Sequence, residues 1–518
     1  MRRLMSLYPF LFAIIPILNV VSRNPGYASR RDIFIVLGCA LVGWLLAYVV
    51  VFMMCRRSAL RASWLVFLLV LVFYGSIPLV SWGRTLGGIG GAAGLALLTA
   101  AAIVVSRWLI HHTPRLEQVS HLLGLTGLLV TIWLSGDIVR DQARERSNVH
   151  HSALAKRLAQ PIGVVQGKRS HPALPDIYLL VLDEYANADV LREQFSFDNH
   201  VFEDSLRGLG FTIPRAVHSN YAHTTLSLPS LLNFSHLTEL TGELGRTATD
   251  PTLPNYLLHH NRTVAFLKRQ GYAFLFYPSQ WWPATRHNPD ADFEFEAWQG
   301  FSPARELTRT HFRRTITRMT LLGQIFPEPP YDTDHIRRTL EALKAVPART
   351  EPTFAFAHVL NPHYPYVFQA DCRPVRLHAR LRKRLAYVEQ LRCLNQLVLN
   401  TVTYLLSHSP TAPVILLQGD HGTSTLNFSW APTAAAVSPA QARERFGAFG
   451  AYYLPAGGNR LLADSVTLVN VLPKVLDYYL GAGIEPSPDE LYMSTEPQPY
   501  DFVKVDPHRL AAALAHEP

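Results

Sequence analysis

Lysine is absent from the first 149 residues, which hold 14 arginines and 5 acidic residues. The whole formal charge of +9 sits there, because the rest of the 48 basic and 39 acidic residues cancel, 34 against 34. Charge so placed excludes a basic nucleic-acid face and suits anionic lipid headgroups beside a membrane. Cysteine is scarce as well, four in 518 residues, too few and too scattered for a cysteine metal cluster or a disulfide scaffold. Cys372 and Cys393, 21 positions apart, are compatible with a disulfide or with two buried thiols. No A-x-A-like site follows the first apolar stretch, which excludes a cleavable signal peptide. Charged residues make up only 17% of the chain against 48% hydrophobic ones, a balance that leans toward a membrane protein.

Most of the first 140 positions are hydrocarbon. Leu4–Val21, Ile33–Met54, Trp64–Trp82, Ile89–Val105 and Leu122–Ile138 have the length and apolarity of membrane-spanning helices, for which about 20 residues cover a core about 30 Å thick. The fourth stretch opens with GGIGGAAG, small residues suited to helix packing. Five spans from a cytoplasmic N-terminus put everything after Ile138 outside, although arginines divide almost evenly between the two sets of loops. The expected organisation is a transmembrane domain over 1–138, a juxtamembrane linker over 139–174, an α/β domain over 175–505 and a tail over 506–518.

Beyond Pro175 short β-rich runs alternate with amphipathic segments: IYLLVL (177–182), YAFLFY (272–277), TFAFAHVL (353–360), VILLQ (414–418) and AYYLP (451–455). Continuous apolar strands separated by helices predict a mainly parallel sheet sandwiched by helices. Ligands then bind beyond the carboxyl ends of the strands. Three of the runs end in groups that bind metal or phosphate. IYLLVL leads into Asp183 and Glu184, TFAFAHVL carries His358 and leads to His363, and VILLQG leads into Asp420 and His421. Carboxylates and imidazoles of this kind suit Zn2+ or Mn2+. In SNYAHTTLSLPS (219–230), Ser227 and Pro229 fit an ordinary helix start with Ser227 as its cap. A hydroxyl beside a divalent ion is also a competent nucleophile, and the neighbouring strand ends favour that role. Asn187 and Asp189 read as turn residues, and His223 as a solvent-facing loop histidine.

In this order, PDIYLLVLDEYANAD, SNYAHTTLSLPSLLN, FAFAHVLNPHYPYVF, LLQGDHGTS and AYYLPAGG make the stretch from Pro175 to about Val505 resemble the sulfatase-like, lipoteichoic-acid-synthase-like branch of the alkaline phosphatase superfamily. The resemblance implies an alkaline-phosphatase-like catalytic domain behind about five membrane spans. It also implies a bacterial cytoplasmic membrane with the active site on its outer, periplasmic side, and a divalent metal ion, Zn2+ or Mn2+. Residue by residue, it makes Thr224 the nucleophile and a metal contact, Asp420 and His421 metal ligands, and either Glu184 or Asp183 the acidic ligand, Glu184 being the slightly better match. His358 and His363 fall on histidines that touch the phosphoryl group or assist the leaving group. The implied function is transfer of a phospholipid headgroup phosphoryl unit, glycerol phosphate or ethanolamine phosphate, to an envelope glycan through phosphothreonine. A hydrolase with water as the acceptor and a non-catalytic glycan-binding or assembly protein are the alternatives.

The sequence departs from its relatives at three points. Leu231 stands where the formylglycine motif C/S-x-P-x-R has arginine, which argues against that route to sulfate esters. The cysteine pair that brackets the nucleophile helix of phosphoethanolamine transferases is missing, and no histidine follows His421 before Pro455.

Overall fold

The computed structural model describes residues 7–24, 28, 30–85, 100, 103–104, 106–108, 110–163, 174–279, 283–295, 310–325, 333–375 and 383–506. The chain divides into two compact units, Met1–Arg146 with Gly300–Pro329 and Ser147–Gln299 with Pro330–Pro518.

Helices Tyr8–Arg23, Arg30–Met54, Ala59–Thr85 and Thr113–His151 overlap four of the five apolar stretches. Ile89–Val105 lies outside the described residues except at 100, 103 and 104. Arg30–Met54 and Pro114–His151 are long and apolar enough to cross a membrane. Phe34, Val42, Leu46 and Val50 of the first are exposed, an apolar surface suited to lipid. The later segment adds helix His311–Arg318 to this unit, where Phe312 and Ile316 pack on Ile17 and Val20. Arg313 Nε donates to Asp32 Oδ1 at 2.7 Å, and both side chains are buried. Each charge there depends on the other, because a buried unpaired ion costs several kcal/mol.

Among the described residues the second unit has ten strands: β1 Ile177–Leu182, β2 Ala216–His218, β3 Ala273–Tyr277, β4 Phe293–Glu294, β5 Thr353–Val359, β6 Val414–Gln418, β7 Gly450–Tyr453, β8 Ser465–Thr467, β9 Leu491–Thr495 and β10 Gln498–Val505. Six of them form one sheet in the order β4-β3-β5-β1-β6-β7. Every pairing in it is parallel except β6 with β7. The five predicted runs are strands to within two residues. β1 shows why an unbroken apolar run was the right signal: Ile177, Leu179 and Val181 enter one core and Tyr178, Leu180 and Leu182 the other. The first core is closed by Leu228, Leu231 and Leu232 of helix Thr224–Asn233 and by Val471, Leu472, Val475 and Leu476 of helix Val471–Leu480. The second is closed by Tyr387, Leu391, Leu394, Val398, Val402 and Leu405 of helix Lys383–His408, whose spacing of three and four keeps one face on the sheet. Cys372 and Cys393 form a disulfide, tying the loop after β5 to that helix.

The carboxyl ends of β1 and β6 touch through backbone. A Cβ added to Gly419 would stand 2.4 Å from the Tyr185 carbonyl oxygen. Gly419→Ala is therefore expected to destabilise the second unit by about 3 kcal/mol, read as a lower urea midpoint with an unchanged slope.

Candidate metal and nucleophile site

Asp183 and Glu184 leave the end of β1, His358 is the sixth residue of β5, and Asp420 and His421 follow β6 after Gly419. Parallel neighbours put these three strand ends side by side, and all five side chains are buried. One ligand atom each from Asp183, His358 and Asp420 lies within 4.8 Å of the other two. His421 Nε2 is 3.2 Å from Asp420 Oδ2 and 3.9 Å from Asp183 Oδ1. Asp183 Oδ1, Asp420 Oδ2 and both ring nitrogens of His358 are buried without a hydrogen bond. Leaving buried polar atoms unmatched is costly, and two carboxylates with imidazoles are a donor set that fits Zn2+ or Mn2+.

Thr224 opens helix Thr224–Asn233, and its Oγ1 lies 2.9 Å from His421 Nε2. The helix starts three residues before the expected cap. Ser227 lies within it, donating to the carbonyl of Asp420 at 2.6 Å, so this serine anchors the nucleophile helix to the metal-side loop. His223, at the N-cap, is buried rather than solvent-facing; its Nε2 is 3.1 Å from Ser494 O, and its ring packs near Phe428. Asn187 caps helix Ala188–Phe195, accepting from Val190 N, and Asp189 lies in the first turn of that helix.

The Glu184 side chain has partners of its own, Arg445 and Ser424. The residue adopts φ 60°, donates its backbone N–H to Asp420 Oδ1 at 3.2 Å, and its Oε1 accepts from Arg445 NH1 at 2.8 Å and from Ser424 Oγ at 3.0 Å. His363 is half-buried, and its backbone N–H donates to the carbonyl of Asp183 at 3.1 Å. Two contributors escaped the sequence reading. Arg445 and Glu444 end helix Pro439–Phe446. Glu444 gathers the loop after His421 through Thr423 Oγ1, Thr425 N and Leu426 N, at 2.7, 2.6 and 2.9 Å. Only the burial of a Glu-Arg pair ahead of the apolar FGAFGAYY run could have signalled them.

A model of the sulfatase family matches residues 195–461, just over half of the chain. The chain belongs to the sulfatase family. Membership makes it a sulfatase-like enzyme of the alkaline phosphatase superfamily, a group of hydrolases and phosphotransferases. Solved structures similar to this sulfatase-family chain include the zinc complex of the C-terminal periplasmic domain of EcEptC from Escherichia coli, 12% identical, TM-score 0.44, covering 66% of this chain and 96% of that one. The lipoteichoic acid synthase LtaP from Listeria monocytogenes is 11% identical with TM-score 0.38, over 67% and 82%. A protein described as a putative sulfatase from Bacteroides thetaiotaomicron is 12% identical with TM-score 0.40, over 63% and 75%. Among curated proteins none matches.

Burial, with repulsion from Asp420 and Glu184, raises Asp183 well above the usual carboxylate range, and burial pushes Asp420 up to about 6. A bound cation must displace those protons. Divalent-cation affinity, measured by titration calorimetry, is expected to strengthen as pH rises and to fall away below about 6. For chelated protein the sign reverses. A carboxylate raised by folding costs stability as pH climbs from its ordinary value to about 6. Chelated wild type therefore loses melting temperature across that window relative to Asp420→Asn, and saturating Zn2+ or Mn2+ removes the loss.

Proposed function

We propose that this enzyme is a membrane-anchored, metal-dependent phosphotransferase that moves a phospholipid headgroup phosphoryl unit, glycerol phosphate or ethanolamine phosphate, to an envelope glycan. The observation that carries this reading is the Thr224 hydroxyl 2.9 Å from His421 Nε2, beside buried carboxylates with unmatched oxygens. Asp183, Asp420, His358 and His421 would hold Zn2+ or Mn2+, while Glu184 is engaged by Arg445. Bound there, the ion would stabilise charge on the phosphoryl oxygens and lower the pKa of the threonine hydroxyl.

In the proposed reaction Asp420, whose unmatched Oδ2 lies 3.2 Å from the His421 nitrogen that Thr224 meets, takes the hydroxyl proton as Oγ1 attacks phosphorus in line. The bond from phosphorus to the diacylglycerol oxygen breaks, and phosphothreonine forms. Burial drives His358 down to about 3, so its ring is neutral and a poor proton donor. His363, half-buried and tied by its backbone to Asp183, protonates the departing oxygen. A glycan hydroxyl, or water in a purely hydrolytic turnover, then displaces the phosphoryl unit from Thr224.

The proposed setting is a bacterial cytoplasmic membrane with about five spans in residues 1–138, a linker over 139–174, the catalytic domain over 175–505 on the periplasmic side and a tail over 506–518. Two helices long enough to span support the anchor. The Cys372–Cys393 bond suits an oxidising compartment.

The test is intact mass of the full-length protein after incubation with mixed phospholipid vesicles and Mn2+ or Zn2+. An adduct is expected on wild type and not on Thr224→Ala, its size naming the headgroup, and turnover of the variant falls on the order of 10^4-fold or more. Lipid turnover that survives in Thr224→Ala would sink the nucleophile assignment.

A further inference from the structure

A groove of about 650 Å3 runs along helix Arg30–Met54 in the first unit, and the reaction above makes no use of it. That helix contributes Ile35, Val36, Cys39, Ala40, Gly43 and Trp44 to the lining, the three-and-four spacing of one helix face. The other walls come from helix Ala59–Thr85, through Phe73 and Tyr74, and from the segment that returns to this unit, through Ile316 and Thr320. These walls are tied together. Trp44 and Phe73 meet edge to face at 5.4 Å, Leu321 N donates to Phe73 O at 3.0 Å, and the Tyr74 hydroxyl donates to Ala13 O at 2.9 Å. The space between them is real, because a Cβ added to Gly43 would meet nothing within 4 Å. Its volume falls in the range of small-molecule sites, about 300 to 1,000 Å3.

The lining selects the chemistry of the occupant. Its polar groups are turned to partners in the walls: the Tyr74 hydroxyl to Ala13, Thr320 Oγ1 to the carbonyl of Thr317 at 2.8 Å, and Arg313 Nε to Asp32. Most of the rest is hydrocarbon or aromatic ring, which suits an alkyl chain and offers little to a sugar or a nucleotide. Length agrees with this. From Ile35 to Trp44 the helix rises about 13 Å at 1.5 Å per residue, close to half of a hydrocarbon core about 30 Å thick, the depth of one leaflet. Ile35 and Cys39 are exposed, so the groove opens to the surroundings that Val42 and Leu46 face. Charge marks one end. Arg30 and Arg31, both exposed, begin the helix about one turn before Ile35, where an acyl chain in the groove would place its phosphate.

Resting on the membrane placement proposed above, we propose that this groove is a phospholipid site, which seats one acyl chain along helix Arg30–Met54 while Arg30 and Arg31 meet the phosphate. A chain gains nothing hydrophobic by passing from lipid to protein. It is held by packing against fixed walls and by charge at the headgroup.

The test uses full-length protein purified in detergent and washed, with retained phospholipid quantified by mass spectrometry after extraction. Wild type is expected to keep phospholipid in stoichiometric amount. Ala40→Phe and Gly43→Phe fill the groove and retain only the background left by detergent exchange. Arg30→Gln and Arg31→Gln each weaken retention about fivefold. Cys39 supplies a second readout that needs no filling side chain. In Cys55→Ser, alkylation of Cys39 is expected to slow when phospholipid is added back to delipidated protein, and not when detergent alone is added. If the phenylalanine variants fail to fold, the Cys39 rate decides. Phenylalanine variants that retain lipid like wild type overturn the proposal, as do a Cys39 rate indifferent to phospholipid and a wild type that holds detergent only. Full-length protein that stays soluble without detergent overturns instead the membrane anchor beneath it.

Discussion

Three carboxylates buried at the meeting point of two strand ends set the terms for the rest of the second unit. Asp183, Glu184 and Asp420 are held together by backbone, through the Glu184 N–H on Asp420 and the close approach of Gly419 to Tyr185. Their repulsion cannot be relieved by moving apart. Relief comes from charge, and the fold supplies one cation of its own in Arg445 while leaving oxygens of Asp183 and Asp420 unmatched. Much of the surrounding structure keeps that arrangement in place. Tyr387 donates to the carbonyl of Glu184, Ser227 ties the nucleophile helix to the carbonyl of Asp420, and Glu444 ties down the following loop. Such preorganisation gives a site its electrostatic leverage, because the groups are already aimed before a ligand arrives.

The strand framework was legible because parallel strands buried on both faces need unbroken apolar runs, and such runs are local. IYLLVL, TFAFAHVL and VILLQ declared themselves, and with them the acids and histidines at their ends. The β4 strand, two residues long, and the β9–β10 hairpin carried too little pattern to be read. The ion pairs were invisible for a different reason. Glu184 and Arg445 lie 261 positions apart, and no periodicity connects them. The choice between Asp183 and Glu184 as the acid nearest a cation therefore could not be made from adjacency alone. In the structure Glu184 carries an arginine partner, while Asp183 Oδ1 has no hydrogen bond.

Ser227 shows how a correct local rule can be overridden. Serine ahead of proline is a good helix start, yet here the helix begins at Thr224, with no side-chain cap. Ser227 is spent on Asp420 instead, while Ser219 lies 3.2 Å from its hydroxyl. The cap is given up where the first residue of the helix has to face the site, a local inconsistency of the kind expected at functional positions.

The order of strands has a consequence in time. β5 lies between β3 and β1, and it follows the stretch Gly300–Pro329 that belongs to the first unit. As the chain is made from its N-terminus, β1 and β3 exist before the strand that separates them. The central slot of the sheet stays open until the chain has made its excursion and returned. Sheet closure therefore waits on long-range contacts, which carry a high entropic cost before they yield any gain. Until β5 and then β6 arrive, Asp183 lacks His358, Asp420 and His421.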